Sequence, residues 1–144
     1  MTNLSSVRVS VELQWQPLGR LEQDENGRLL FPIAPHQPGL YRFRLLGNGD
    51  IRHYIGETDE LRRRFQHYRT PGPSQKTNVR MNEEFRQHFA AGGTIEVDIA
   101  PDGISVSIAG AVLGGDLADK AIRRLLEHAA LVSEAGAGVK LLNR

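Results

Sequence analysis

The sequence predicts an α+β fold, a small and mainly antiparallel sheet flanked by three helices. Three observations predict it: turn dipeptides set between β-like runs, one run that alternates at period two, and three segments with apolar residues at helical spacing. Residues 7–15 alternate apolar and polar side chains and read as a strand ending at Trp15. Asn26-Gly27 separates residues 19–25 from 28–32, Asn48-Gly49 separates 40–45 from 51–55, and Asp102-Gly103 separates 94–99 from 104–108. Such dipeptides tolerate the positive φ of a type I′ turn, so each predicts a hairpin. Pro101 beside the third leaves its loop length open. Prolines at 32, 35 and 38 mark a linker, which divides an N-terminal β appendage, residues 1–38, from a main body, residues 39–144.

Thr58 or Asp59 can cap a first helix reaching about Arg69, with Leu61, Phe65 and Tyr68 on one apolar stripe. A second follows Thr77, carries Met81, Phe85, His88 and Phe89 on one side, and stops at Gly92-Gly93. The last is expected from Asp116, with Ala118, Ala121, Ile122, Leu125, Leu126, Ala129 and Val132 turned inward. Residues 110–115 read as a glycine-containing connector, since no Gly-Lys-Ser/Thr follows to make them a phosphate loop.

Composition excludes several functions. With 144 residues the chain has the size of one domain, and its 40% hydrophobic and 24% charged residues are those of a folded protein rather than a disordered one. It has no cysteine, which removes disulfides, thiolate metal sites and a cysteine nucleophile. No apolar run is long enough to span a membrane or act as a leader, so a cytoplasmic location and no membrane partner are expected. The net charge of +1 is unevenly spread: residues 1–38, 42–88 and 89–144 carry −1, +4 and −2. A local basic patch in the middle third can meet a few phosphates even though the whole molecule steers a polyanion weakly.

The middle hairpin is where chemistry gathers. A two-residue Asn48-Gly49 loop sets Tyr54 opposite Phe43 and Gly56 opposite Tyr41, which leaves Tyr41 and Tyr54 as diagonal neighbours on one face. On the helix that follows, Arg64 lies about 40° from Tyr68 at the rim of the apolar stripe, whereas Arg63 points away and Arg62 shares the other flank with Arg69. Two phenols and a guanidinium converging over a sheet suit a phosphate, because Arg supplies a permanent charge in bidentate geometry.

Gly39-Leu40-Tyr41, then Tyr54-Ile55-Gly56, then Arg64 ten residues after Tyr54 resemble the GIY-YIG nucleases. In that family two such strands precede a helix bearing an essential arginine. Leu125-Leu126-Glu127 and Leu142-Asn143 look like its metal-binding glutamate and its late asparagine, so the resemblance covers residues 39–143. Two features depart from the pattern. The tyrosines are 13 apart, slightly wider than usual, and Glu57 stands where some members, the excision-repair nucleases among them, place a lysine.

The resemblance implies a GIY-YIG-like fold and a metal-dependent endonuclease that hydrolyses phosphodiester bonds, most readily in DNA. Glu127 would hold one divalent cation, magnesium or manganese. Tyr41 would take a proton from the attacking water, directly or through a neighbour, and Arg64 would neutralise the developing charge. Tyr54 and Tyr68 would orient the phosphate with His67 in support, beside Gly56, Asn143, Arg62 and Arg63. A homodimer is compatible with the same residues. The alternative is a nucleic-acid-binding or interaction module of the same fold that does not cleave. Read from the residues alone, Glu127 lies opposite the apolar stripe of its helix, as a surface glutamate would, and Glu134 shares its face.

Overall fold

The computed structural model describes residues 4–114 and 116–143. In chain order the elements are β1 (Val9–Glu12), β2 (Gln16–Gln23), β3 (Leu29–Leu30), β4 (Gly39–Leu46), β5 (Arg52–Thr58), α1 (Leu61–Arg69), α2 (Lys76–Ala90), β6 (Thr94–Ala100), β7 (Ser105–Ile108), β8 (Ala111–Gly114), α3 (Lys120–Gly136) and β9 (Lys140–Leu141). The class is α+β with three helices. Six strands form one sheet in the order β3-β2-β6-β4-β5-β9, and β1, β7 and β8 form a second. Every pairing is antiparallel except β5 with β9. No described helix is long and apolar enough to cross a membrane.

Alternation along β4 decides what each face of the large sheet meets. Tyr41, Phe43 and Leu45 join Leu61, Phe65 and Tyr68 of α1 and Met81 and Phe85 of α2 in the main core. Its rings meet edge to face, Phe43 and Phe85 at 4.9 Å and Tyr41 and Phe65 at 5.7 Å between centroids. Leu40, from the alternate positions, joins Ala100, Val106, Leu117 and Leu126 in a second core, covered by the small sheet and α3.

The expected register of the middle hairpin is present, with Tyr41 opposite Gly56 and Phe43 opposite Tyr54. Its loop is longer than expected and spans residues 47–51. A type I′ turn needs positive φ at both central residues; Gly47 and Gly49 have it and Asn48 does not. The two-residue hairpin with both central residues at positive φ lies instead at Ala109-Gly110, where Ile108 pairs with Ala111. Strand β8 therefore occupies most of what reads as a connector; Gly115 lies outside the described residues.

Three other expectations change. Strands β6 and β7 form no hairpin, because β6 is paired on both sides by β2 and β4 and the chain leaves it through Pro101 for the second sheet. The first 38 residues are no appendage: β2 and β3 are strands of the large sheet, and Leu21, Leu29 and Ala34 lie in the main core. The proline-bearing segment lies against that core, where Phe31 stacks on Phe65 at 5.6 Å and Ala34 O accepts from Arg62 Nε at 2.7 Å.

The last helix starts at Lys120, capped by the Asp119 carboxylate, and turns a different face inward. Arg123, Leu126 and Ala130 are buried while Ala118, Ala121 and Val132 are exposed. The first helix is likewise capped by Glu60 rather than Thr58 or Asp59.

Candidate active site

Glycine makes the centre of the site possible. Gly56 faces Tyr41 across the β4–β5 ladder, and a Cβ on it would stand 2.2 Å from Tyr41 Oη. Only glycine leaves room for the phenol to pass under β5, with its ring in the core and its oxygen at a cleft. Helix α1 meets that oxygen from above. Its apolar stripe of Leu61, Phe65 and Tyr68 fixes the rotation, and Arg64 at the rim donates through Nε to Tyr41 Oη at 3.1 Å and through Nη2 to Tyr68 Oη at 3.3 Å. The two phenol oxygens are 2.7 Å apart, and the guanidinium carbon lies 5.0 Å over the Tyr68 ring.

Electrostatics follow from burial. Tyr41 is 1% exposed; burial pushes its pKa up to about 12, and the lowering by Arg64 and by the Tyr68 hydrogen bond only partly offsets this. Burial, with the neighbouring phenols, also holds Tyr68 well above the ordinary tyrosine value. The expectation that the site lowers the Tyr41 pKa is therefore overturned: both phenols are neutral at physiological pH. Arg64 is held charged by the two phenol oxygens against the cost of its partial burial.

A cleft of about 440 Å³ opens at this point, lined by Tyr41, Tyr54, Gly56 and Arg64 together with groups from three other directions. Lys76, Thr77 and Arg80 come from the start of α2, Glu57 from the opposite face of β5, and Glu127 from α3. Arg123 is buried on α3, donates to Leu117 O and Ala118 O, and holds the Glu57 carboxylate at 2.6 Å. Glu127 has a raised pKa, because it is partly buried and because the Glu57 charge lies nearby. Asn143 follows β9 and clamps the backbone of β5: its amide donates to Ile55 O at 2.6 Å and accepts from Ile55 N at 3.0 Å.

The sequence-predicted residues divide accordingly. Tyr41, Tyr54, Gly56, Arg64, Glu127 and Asn143 share the cleft, and Tyr68 supports it from behind. Arg62, Arg63 and His67 do not line it. Arg62 is tied to Ala34 O, and Arg63 is exposed and paired with Asp59 at 2.6 Å. Reasoning from sequence passed over Lys76, Thr77 and Arg80, which nothing local distinguishes from a solvated first turn. It also passed over Arg123, whose signal is the charged row Arg123, Glu127, Glu134 at helical spacing.

The donor set suits one small hard cation and no more. Among the described residues no group of three or more His, Asp or Glu gathers to cage a metal. Glu57 is committed to Arg123, so Glu127 is the available carboxylate, and a cation beside it would relieve its uncompensated position. Magnesium is commonly held this way, by one or two carboxylates with water and substrate phosphate completing the shell. Comparisons with protein families, with curated proteins and with solved structures gave no match for the chain.

Proposed function

We propose that the chain is a metal-dependent endonuclease of the GIY-YIG kind that hydrolyses phosphodiester bonds in DNA. The observation that supports this best is one cleft shared by Tyr41, Tyr54, Arg64 and Glu127, residues from three elements that reach it from both faces of the sheet. Arg64 spends Nε and Nη2 on the phenols, which leaves the Nη1 donors for a phosphate oxygen. Lys76 and Arg80 add positive charge on the α2 side. Tyr54 orients the scissile group, and Tyr68 holds Tyr41 in place. A magnesium ion at Glu127 would supply Lewis acidity toward the phosphate and leaving oxygen. Tyr41 receives the proton of the attacking water in its phenolate form, which Arg64 stabilises and which burial keeps scarce at neutral pH.

The test is incubation of the purified protein with labelled single-stranded and duplex DNA in magnesium, manganese or EDTA. Cleavage that EDTA abolishes is expected, and Glu127→Gln should lose turnover while keeping its unfolding midpoint and DNA affinity. Full activity of this variant would remove the metal from the scheme. Binding without cleavage under every condition would instead assign a non-cleaving nucleic-acid module.

A further inference from the structure

A second basic pocket lies on the far side of α1. It measures about 530 Å³ and is lined by Arg28, Gln66, Arg69, Thr70 and Arg86. No carboxylate lines it, and none of its three arginines belongs to any ion pair among the described residues. Three like charges in one pocket repel unless an anion joins them. One of them is held in place: Arg86 donates through Nε to Asn82 Oδ1 at 2.7 Å and through Nη1 to Gly27 O, and Asn82 is itself buried and tied to Tyr68 O. A guanidinium fixed this way binds with little further ordering.

The pocket continues into an apolar groove. Gln66 and Arg69 also line a neighbouring cavity of about 230 Å³ built from Phe31, Pro32, Ile33 and Phe65, and Ile33 is 80% exposed. An anion pocket joined to an apolar groove fits a nucleotide that presents its phosphate to one and a base face to the other, which a fully stacked duplex does not offer. Arg69 lies about 140° around α1 from Arg64, and the helix is about 10–12 Å thick, a span that a strand crosses in a few nucleotides.

We infer that Arg28, Arg69 and Arg86 bind a backbone phosphate of an unpaired nucleic-acid strand outside the catalytic cleft, with the adjoining base against Ile33 and Pro32. This rests on the nuclease reading for its choice of polymer and deepens it toward substrates with a single-stranded segment.

The test measures affinity of the full-length protein for a labelled single-stranded oligonucleotide and a blunt duplex across a salt series, in magnesium-free buffer. For the single strand, Arg28→Ala/Arg69→Ala should flatten the slope of log affinity on log salt by about 1.4, at roughly 0.7 per phosphate contact. Arg8→Ala, an exposed arginine elsewhere, should leave it unchanged. Single-turnover cleavage at saturating protein should stay at the wild-type rate. A wild-type slope in the double variant overturns the site while leaving the nuclease reading intact. So does a slope change confined to the duplex, or displacement of the oligonucleotide by poly-glutamate that depends on the same two arginines, which would make this a face for acidic peptides. Salt-sensitive binding lost in the double variant, with no cleavage by the wild type, would keep the site and reject the nuclease.

Discussion

Tyr41 has its ring in the core and its oxygen at the cleft because the residue across the ladder has no side chain. That arrangement separates packing from chemistry, so the hydroxyl can be removed alone. Tyr41→Phe should lower the cleavage rate by roughly 10²–10⁴ with little change in melting temperature. The pH profile is the sharper measurement. With a phenol pKa near 12, the phenolate fraction grows across the neutral and alkaline range, so wild-type cleavage should climb with pH and the Phe variant should lose that climb. A variant that cleaves at the wild-type rate throughout would make the tyrosine a packing residue only. The arginines next to it separate in the same way. Arg64→Ala should cost several kcal/mol in single-turnover chemistry, at about 1.4 kcal/mol per tenfold, whereas Arg63→Ala, which faces solvent and Asp59, should leave the chemical step at its wild-type rate. Equal defects would contradict the geometry of α1.

At the scale of the element, α3 is the instructive one. Its apolar residues predict one inward face, and the structure buries another, since charged side chains on α3 have partners in the sheet. Arg123 meets Glu57, while Glu134 meets His53 and Arg42, and Arg42 continues to Asp98 at 2.8 Å. A hydrophobic stripe can be read from one helix, whereas a buried ion network needs the partner strand and is invisible until the two are brought together. The same reasoning explains why α1 was legible: Leu61, Phe65 and Tyr68 need no polar partner to be placed, and Arg64 is carried along with them. Glu134 gives this network a measurable signature. Burial opposes its charge, but hydrogen bonds from His53 and Arg42 prevail and hold its pKa below the usual glutamate range. A depressed folded-state value means that the stabilisation is complete above the unfolded pKa, about 4.3, and is lost as pH falls through the lower folded value. Glu134→Gln should therefore be less stable than wild type at neutral pH by about 1–3 kcal/mol in urea unfolding, and the gap should close below about pH 4. A gap that stays constant down to acid pH would place the cost in packing instead.

For the whole molecule, local signals set the register of β4 on β5 but left the order of the sheet unread. Turn dipeptides report only that the chain reverses; they do not report that β6 inserts between β2 and β4, a pairing between strands more than seventy residues apart in sequence. The proline-bearing stretch before Gly39 reads as a linker for the same reason, because its contacts with α1 and the aromatic core come from elements later in the chain. The consequence is testable by shortening. A chain that begins at Pro35 loses β1, β2 and β3, which bares one edge of β6, strips the small sheet of a strand and removes Leu21 and Leu29 from the main core. Burying each of those leucines is worth about 1.5–3 kcal/mol, and together they are comparable with the lower half of a typical domain stability of about 5–15 kcal/mol. Trp15 and Leu18, packed against the two cores, go with them. The shortened chain should therefore show no cooperative urea transition and no cleavage, even though every cleft residue is still present. A cooperative transition near that of the full chain would make residues 1–34 a true appendage, and would mean that β4, β5, α1, α2 and α3 hold the cleft without the strand on the far side of β6.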